Sequence, residues 1–333
     1  MGVYHLMGLG LSAGAVVGPV SYLAHRFTRW SEGDRAFFSR SGERAQRRAG
    51  DRVGAMQALV LFTTAEVIAA APGAHVREFV DNAPGSSLGA RGRGGPMRDL
   101  LRAHLPAAWR GAAGGHATGD VFWCEVDRAD LAVTYARVVR VVAALAGAGG
   151  EGKEMWANLT GGNNVTNLAL QLAASLSGEV SRLYYVHVDD GARACLRFPC
   201  EKPYWVELPA LPLAPTAVGA DVIRILDGAG PLPAAEIWAR LAGMGAHWAA
   251  LEGLDAASFV RAHLTPLWKA GLVEDVSPGP HPPDERKVYG VGPRWPAAEP
   301  YLRELVAARQ DGRTLEALEA DVPWLTRETL ELA

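Results

Sequence analysis

The stretch "ANLTGGNNVTNLALQLAASL", residues 157–176, sets two glycines and two asparagines between an apolar approach and a long aliphatic pattern of helical period. A strand that runs into Gly161, Gly162, Asn163 and Asn164 and then into a helix presents backbone N–H groups at the positive end of that helix, a natural site for an anion. Glycine allows close backbone approach and positive φ, while the asparagine amide both donates and accepts. Thr160 and Thr166 add hydroxyls at the same mouth. A second turn of this kind, "MGLGLSAGAVV" at 7–17, closes the first apolar run with Gly8, Gly10, Ser12 and Gly14. In a doubly wound sheet the loops at the carboxyl ends of the strands meet at the switch point, so the two turns predict one crevice for a phosphate-bearing ligand.

The surrounding chain supports such a sheet. Short apolar runs alternate with longer helical patterns through the first 200 or so residues, which points to an α/β domain with a largely parallel sheet. The predicted strands are "VYHLMGLG" (3–10), "QALVLFTT" (57–64), "VFWCEVD" (121–127), "EMWANLT" (154–160) and "RLYYVHV" (182–188). "CLRFPCEKPYWVELPAL" (195–211) reads as a hairpin or edge strands punctuated by proline. The Gly-, Ser- and Arg-rich segment 81–99 reads as a mobile loop, with Arg91, Arg93 and Arg98 as a candidate lid over phosphates. Trp123, Trp156 and Tyr184 are strand aromatics expected mostly in the core.

Beyond a proline-rich linker around 212–220 the pattern changes. Two helices flank a Gly-Pro turn in 221–243, a third helix covers "DAASFVRAHLTPLWKAG" (255–271), and "LVEDV" and "KVYGV" follow as two short strands. Three helices and a β-wing in that order resemble a winged helix-turn-helix domain over 218–292, with Trp238 and Trp268 on its packed face. The last stretch, 297–333, reads as a helical extension.

With 333 residues, 49% apolar and 21% charged, the chain has the size and composition of a folded protein of two domains. The formal charge of −3 is uneven. Residues 1–214 hold 22 Lys plus Arg against 19 Asp plus Glu, a net of +3, whereas 215–333 hold 11 against 17, a net of −6. The first part suits an anionic ligand, and the second disfavours DNA. The three cysteines, Cys124, Cys195 and Cys200, have no metal-type spacing, so the expectation is neither a disulfide framework nor a zinc site, in a reducing, cytoplasmic setting. The apolar N-terminus has no Lys or Arg ahead of it and is interrupted by glycines and Pro19, which predicts a buried strand and turn, with no signal peptide or membrane span.

Two identities compete for the crevice. "GLGLSA" fits the dinucleotide pattern G-x-G-x-x-G/A, with Glu32 and Asp34 about 20 residues further on. Against it stand Pro19, placed where the first helix should be uninterrupted, and the lack of a recognisable second catalytic domain. A first strand ending in G-x-S-x-G, a later strand ending in L-T-G-G before a helix, and an attached winged helix together resemble the CARF proteins, the Rossmann-like sensors of type III CRISPR antiviral defence. The resemblance covers most of the chain, with a CARF domain over 1–212. It implies a homodimer whose paired loops bind a cyclic oligoadenylate, most often cyclic tetra-adenylate, with Gly10, Leu11, Ser12, Ala13 and Gly14 from the first motif. The second motif falls on Thr160, Gly161, Gly162, Asn163 and Asn164, with Thr166 behind it.

Three functions go with that architecture. A ring nuclease cuts the messenger without metal or cofactor, each 2′-hydroxyl attacking the adjacent phosphate, with Ser12, Asn163 and Asn164 as the candidate catalytic residues. Ring nucleases of this type usually carry a lysine after the Gly-Gly pair, where this chain has Asn163 and Asn164. An arginine of the 91–98 segment is the expected substitute for its charge. A transcription regulator would read DNA through Arg261, His263 and Lys269 of the third helix and Arg286 and Lys287 of the wing. A sensor or sponge would only hold the ring. The reading leans to the nuclease.

Overall fold

A computed structural model describes residues 2–39, 54–82, 85–87, 89–147, 153–188, 194–198, 203–209, 217–245, 251–279 and 282–332. They fall into two compact units, 1–212 together with 304–333, and 213–303. The linker expected near 212–220 lies largely outside the described residues.

In the first unit, elements follow in the order β1 (Val3–Gly8), α1 (Gly14–Arg29), α2 (Glu32–Ser39), β2 (Met56–Thr63), α3 (Ala65–Ile68), β3 (Glu78–Asp81), β4 (Ala90–Arg93), α4 (Met97–Trp109), β5 (Thr118–Glu125), α5 (Leu131–Gly147), β6 (Glu154–Asn158), α6 (Asn164–Ser177), β7 (Val180–Val188), β8 (Ala194–Cys195) and β9 (Pro203–Leu208). β1 is buried along its whole length and β2 almost so, as expected for strands covered on both faces. The main sheet runs β13-β5-β2-β1-β6-β7-β9, where β13 is Leu325–Glu331. β5, β2, β1, β6 and β7 are mutually parallel, and antiparallel β13 and β9 close the two edges. The five parallel strands are the five read from the apolar runs. Taken in chain order they lie 3-2-1-4-5, so the order reverses between β1 and β6, and that is the switch point.

The helices pack in two sets, α1 against α4 and α5 against α6. The core beneath α1 joins Met7, Val16, Val20 and Phe27 to Leu59, Leu61, Trp109 and Trp156. Trp123, Trp156 and Tyr184 are all buried, as expected of strand aromatics.

Outside the second unit, three features differ from expectation. Segment 81–99 contains β4, the end of β3 and the start of α4, and β3 pairs with both β4 and β8 in a small second sheet. Asn82 braces it, donating from Nδ2 to the Arg197 carbonyl and accepting from the Gly89 amide, so the Gly- and Arg-rich composition decorates a built hairpin. The C-terminal stretch ends in a strand: after helices α11 (Trp295–Asp311) and α12 (Leu315–Asp321), β13 pairs along the whole of β5, burying Leu325 and Leu330. The Leu- and Glu-rich composition looks helical, but an uncovered β5 edge offers a row of free N–H and C=O groups, and pairing them outweighs local propensity. Cys195 is disulfide-bonded, its partner outside the described residues. An odd cysteine count leaves one thiol over, and here it is Cys124, buried in β5 with its pKa driven up by that burial.

The second unit contains α7 (Ala217–Ala229), β10 (Leu232–Pro233), α8 (Ala234–Gly243), a third helical run of α9 (Ala256–Phe259), a π-type turn Val260–Leu264 and α10 (Thr265–Lys269), then β11 (Val273–Asp275) and β12 (Val288–Val291). The π-type turn lies just ahead of Pro266, which has no N–H for the carbonyl four residues back. The strands form an antiparallel sheet ordered β10-β12-β11. Val222, Leu226, Ile237, Phe259, Leu264 and Tyr289 make the core, with Trp238 packed at its border. Trp268, expected on the packed face, is about half exposed, because Leu264 and Leu267 are the residues of its helix turned inward.

Candidate functional site

The two glycine turns meet at the switch point. A Cβ on Gly161 would fall on the Gly8 carbonyl oxygen, and one on Gly8 would stand 2.7 Å from the Gly161 carbonyl oxygen, so the turns touch backbone to backbone. Gly162 has φ +79°, the left-handed conformation that glycine tolerates best. α1 starts at Gly14, whose missing Cβ leaves room for the Cys195 backbone, and no side chain caps it. α6 starts behind Asn163, whose Oδ1 accepts from the Thr166 amide at 2.8 Å and the Thr166 hydroxyl at 3.0 Å. That bonding turns Asn163 into an N-cap and leaves its Nδ2 as a donor. Both helices begin at the carboxyl ends of β1 and β6, so two positive helix ends serve one place.

A crevice of about 310 Å³ opens there, lined by Leu9, Gly10 and Leu11 from the first turn and Gly162, Asn163 and Thr166 from the second. Thr64, Glu66 and Val67, following β2, and Arg128, following β5, complete its polar and apolar walls, together with residues 72–74. Of the predicted residues, Gly10, Leu11, Gly162, Asn163 and Thr166 line it directly. Ser12 and Asn164 are exposed beside it, with no side-chain hydrogen bond among the described residues. Ala13 is buried at the start of α1. Thr160 is committed to the fold, its Oγ1 accepting from the Val186 amide at 2.7 Å.

The arginines expected as a lid do not line the crevice. Arg91 and Arg93 are exposed on β4, and Arg98 lies on α4 with its guanidinium 4.6 Å from the Trp123 ring centroid, where burial lowers its pKa. The cation that lines the crevice is Arg128, which has no ion pair or hydrogen bond among the described residues. Its one carboxylate is Glu66, held below the usual carboxylate range by a hydrogen bond from Thr64 and, less strongly, by the charge of Arg128. Neither stands out in the sequence: "TTAEV" and "VDRAD" carry no motif, and only the strand order brings them together.

Pro19 lies inside a continuous α1 and does not break it. Having no N–H, it cannot bond the Ala15 carbonyl four residues back. That carbonyl accepts instead from Nδ2 of Asn158 at 3.2 Å, while Asn158 Oδ1 accepts from the Thr160 amide at 2.8 Å. Asn158 is fully buried at the end of β6, so one amide ties α1 to the second turn and satisfies the group that Pro19 orphans.

Both acids of the dinucleotide pattern lie past the opposite end of α1, Glu32 exposed at the start of α2 and, two residues on, Asp34. It is completely buried, accepting from Arg26 Nε at 2.8 Å, from Arg29 Nε at 2.7 Å and from the Ser31 amide at 3.0 Å. These bonds, Arg29 foremost, hold its carboxyl far below the normal range. Its role is to seal the α1–α2 corner.

Among the described residues no group of three or more His, Cys, Asp or Glu is placed to hold a metal, and no helix is long and apolar enough to cross a membrane. No known family model matches the chain. Over 215 residues, 63% of the chain, it is 25% identical to an uncharacterized protein of Archaeoglobus fulgidus, and the match spans 62% of that protein's length.

Proposed function

We propose that the protein is a CARF-type receptor for a cyclic oligoadenylate, cyclic tetra-adenylate foremost, and that it opens the ring it binds. The observation that carries this reading is the convergence of two glycine turns and two helix N-termini on one crevice at the β1–β6 switch point. Phosphodiesters are the ligands such a site favours, since bare backbone and positive helix ends both select anions. A cyclic tetranucleotide has four phosphates and its own symmetry, and a two-fold homodimer offers two copies of each turn. Ring opening then needs no protein nucleophile. A 2′-oxygen bonds to the adjacent phosphorus as the bond from phosphorus to the 5′-oxygen breaks, leaving a 2′,3′-cyclic phosphate, and the 2′-hydroxyl proton is balanced by one delivered to the 5′-oxygen. Ser12, the Nδ2 of Asn163 and Asn164 hold the attack geometry and the developing charge.

The test is to incubate the protein with cyclic tetra-adenylate without metal and resolve the products by chromatography and mass. Linear di-adenylate ending in a cyclic phosphate, lost in Ser12→Ala, is the expected result. Tight binding of an intact ring would overturn the nuclease and leave a sensor.

A second reading rests on the second unit, whose three helical segments followed by the antiparallel pair β11 and β12 resemble a winged helix. Arg261, Lys269 and Arg286 are exposed there without an ion pair among the described residues, and His263 is half-buried on the same helical run, whereas Lys287 is held by Asp284 at 2.8 Å. A ligand-dependent transcription regulator would bind duplex DNA through these cations, with affinity falling as salt rises. Absence of DNA binding at low salt, with and without the ring, would remove it.

A further inference from the structure

The crevice has one carboxylate and one cation, each in the segment that follows a parallel strand on the β1 side of the switch point. Glu66 stands three residues past the end of β2, and Arg128 three residues past the end of β5, so both lie at the carboxyl edge of the sheet, after strands on the side of β1 away from β6. Both are exposed and both line the crevice with Gly10, Leu11, Gly162 and Asn163. Arg128 makes no ion pair among the described residues, although Glu66 shares the crevice with it. The crevice thus has a cation without a partner among the described residues and a carboxylate whose oxygens, beyond the hydrogen bond from Thr64, keep acceptor positions for a ligand.

In doubly wound sheets an acid near the end of the second strand meets ribose hydroxyls when phosphate sits at the first turn, because that strand lies beside the phosphate loop. Neither Glu32 nor Asp34 can do this here, since both lie past the far end of α1. Glu66 follows β2, next to β1 in the sheet. We propose that Glu66 accepts a hydrogen bond from a ribose 2′-hydroxyl of the bound ligand and that Arg128 contacts the phosphate attached to that ribose, so that the crevice selects ribonucleotide over deoxyribonucleotide phosphodiesters. The assignment rests on the proposed function and deepens it, since the 2′-hydroxyl is also the group that attacks. Arg128 then provides the positive charge that a lysine after Gly162 would have provided.

The experiment is filter binding at 4 °C of two probes, cyclic tetra-adenylate and cyclic tetra-deoxyadenylate, to the full chain and to Glu66→Gln and Arg128→Ala, with melting temperatures as a check on folding. The parent should prefer the ribose ring by about 10- to 100-fold, the range of one hydrogen bond to a charged group. Glu66→Gln should lose most of that preference by weakening the ribose ring alone, leaving the deoxyribose ring as tight or tighter. Arg128→Ala should weaken both rings alike and reduce the salt slope by about one. Equal affinity of the parent for the two rings, or equal losses on both rings in Glu66→Gln, would overturn the assignment and leave cyclic oligoadenylate binding standing. No binding of either ring to the parent would overturn the proposed function, and this assignment with it.

Discussion

At the amino-terminal end of the main sheet, Asp34 takes hydrogen bonds from Arg26, Arg29 and Ser31, and Arg182 packs against the Phe37 and Trp156 rings while donating to the Phe37 carbonyl. At the carboxyl end, the same kinds of group are unspent: Ser12, Asn164 and Arg128 are exposed without side-chain partners among the described residues. Both ends are reached by α1, one with its last turn and the other with its first. Charges partnered inside the protein hold the fold, because leaving one buried and unpaired costs several kcal/mol. Groups left unpartnered around a crevice are available to a ligand.

Removing the Asp34 charge should break this contrast most strongly. Asp34→Asn removes the buried carboxylate that Arg26 and the half-exposed Arg29 share, and unfolding in urea should show a loss of about 3 kcal/mol. Affinity for cyclic tetra-adenylate, measured below the transition, should stay within about twofold of the parent's, since the crevice is at the other end.

His5 offers the next test. It is fully buried in β1 with Tyr184 Oη 3.3 Å from its Nδ1, and burial, helped by the charge of Arg182, lowers its pKa to about 3. Below the ordinary histidine value the unfolded chain binds a proton that the folded chain refuses. Its contribution is therefore complete above about pH 6.5 and is lost as pH falls toward 3, by up to about 1.4 kcal/mol per unit. Between pH 6.5 and 5 this comes to about 2 kcal/mol, and in His5→Gln the difference in slope should vanish. An unchanged slope in that variant would mean that another group carries the acid sensitivity.

The contact between the turns can be broken directly. Gly161→Ala places a methyl on the Gly8 carbonyl, so the turns must part, at about 1–3 kcal/mol of stability. Ring binding should fall at least about tenfold in the same variant, whereas Asp34→Asn leaves it alone. If both variants affected binding equally, the separation of the two ends would be wrong.

The smallest effect sharpens the comparison. Asn158→Ala orphans the Ala15 carbonyl and should cost about 1–3 kcal/mol. In Pro19→Ala the helix supplies its own N–H to that carbonyl, so the same Asn158→Ala change should cost about 1 kcal/mol less, a coupling that a double-mutant cycle reads. Strict additivity would separate Pro19 from Asn158.

The parallel strands were legible because apolar runs buried on both faces announce themselves, and the turns because glycine and asparagine beside such runs have few other uses. The two short strands β11 and β12 were legible from their valines and Tyr289 on either side of a proline-rich tip. Segment 81–99 misled because its glycines and arginines look like an unstructured loop until β3 and β8 offer partners. The end of the chain misled because its composition favours helix while the free edge of β5 recruits it as β13.

By itself, then, the sequence determined the alternation that makes an α/β domain, the five parallel strands, and the two glycine-rich turns that follow β1 and β6. These depend on local periodicity and backbone freedom, which neighbouring residues carry. Only the tertiary structure decided that Gly8 and Gly161 touch, that Asn158 completes the hydrogen bond Pro19 gives up, that Asp34 is a sealed corner, and that Glu66 and Arg128 share a crevice. Each of those is a meeting of residues far apart in the chain, and strand order, which no short stretch encodes, brings them within reach of each other.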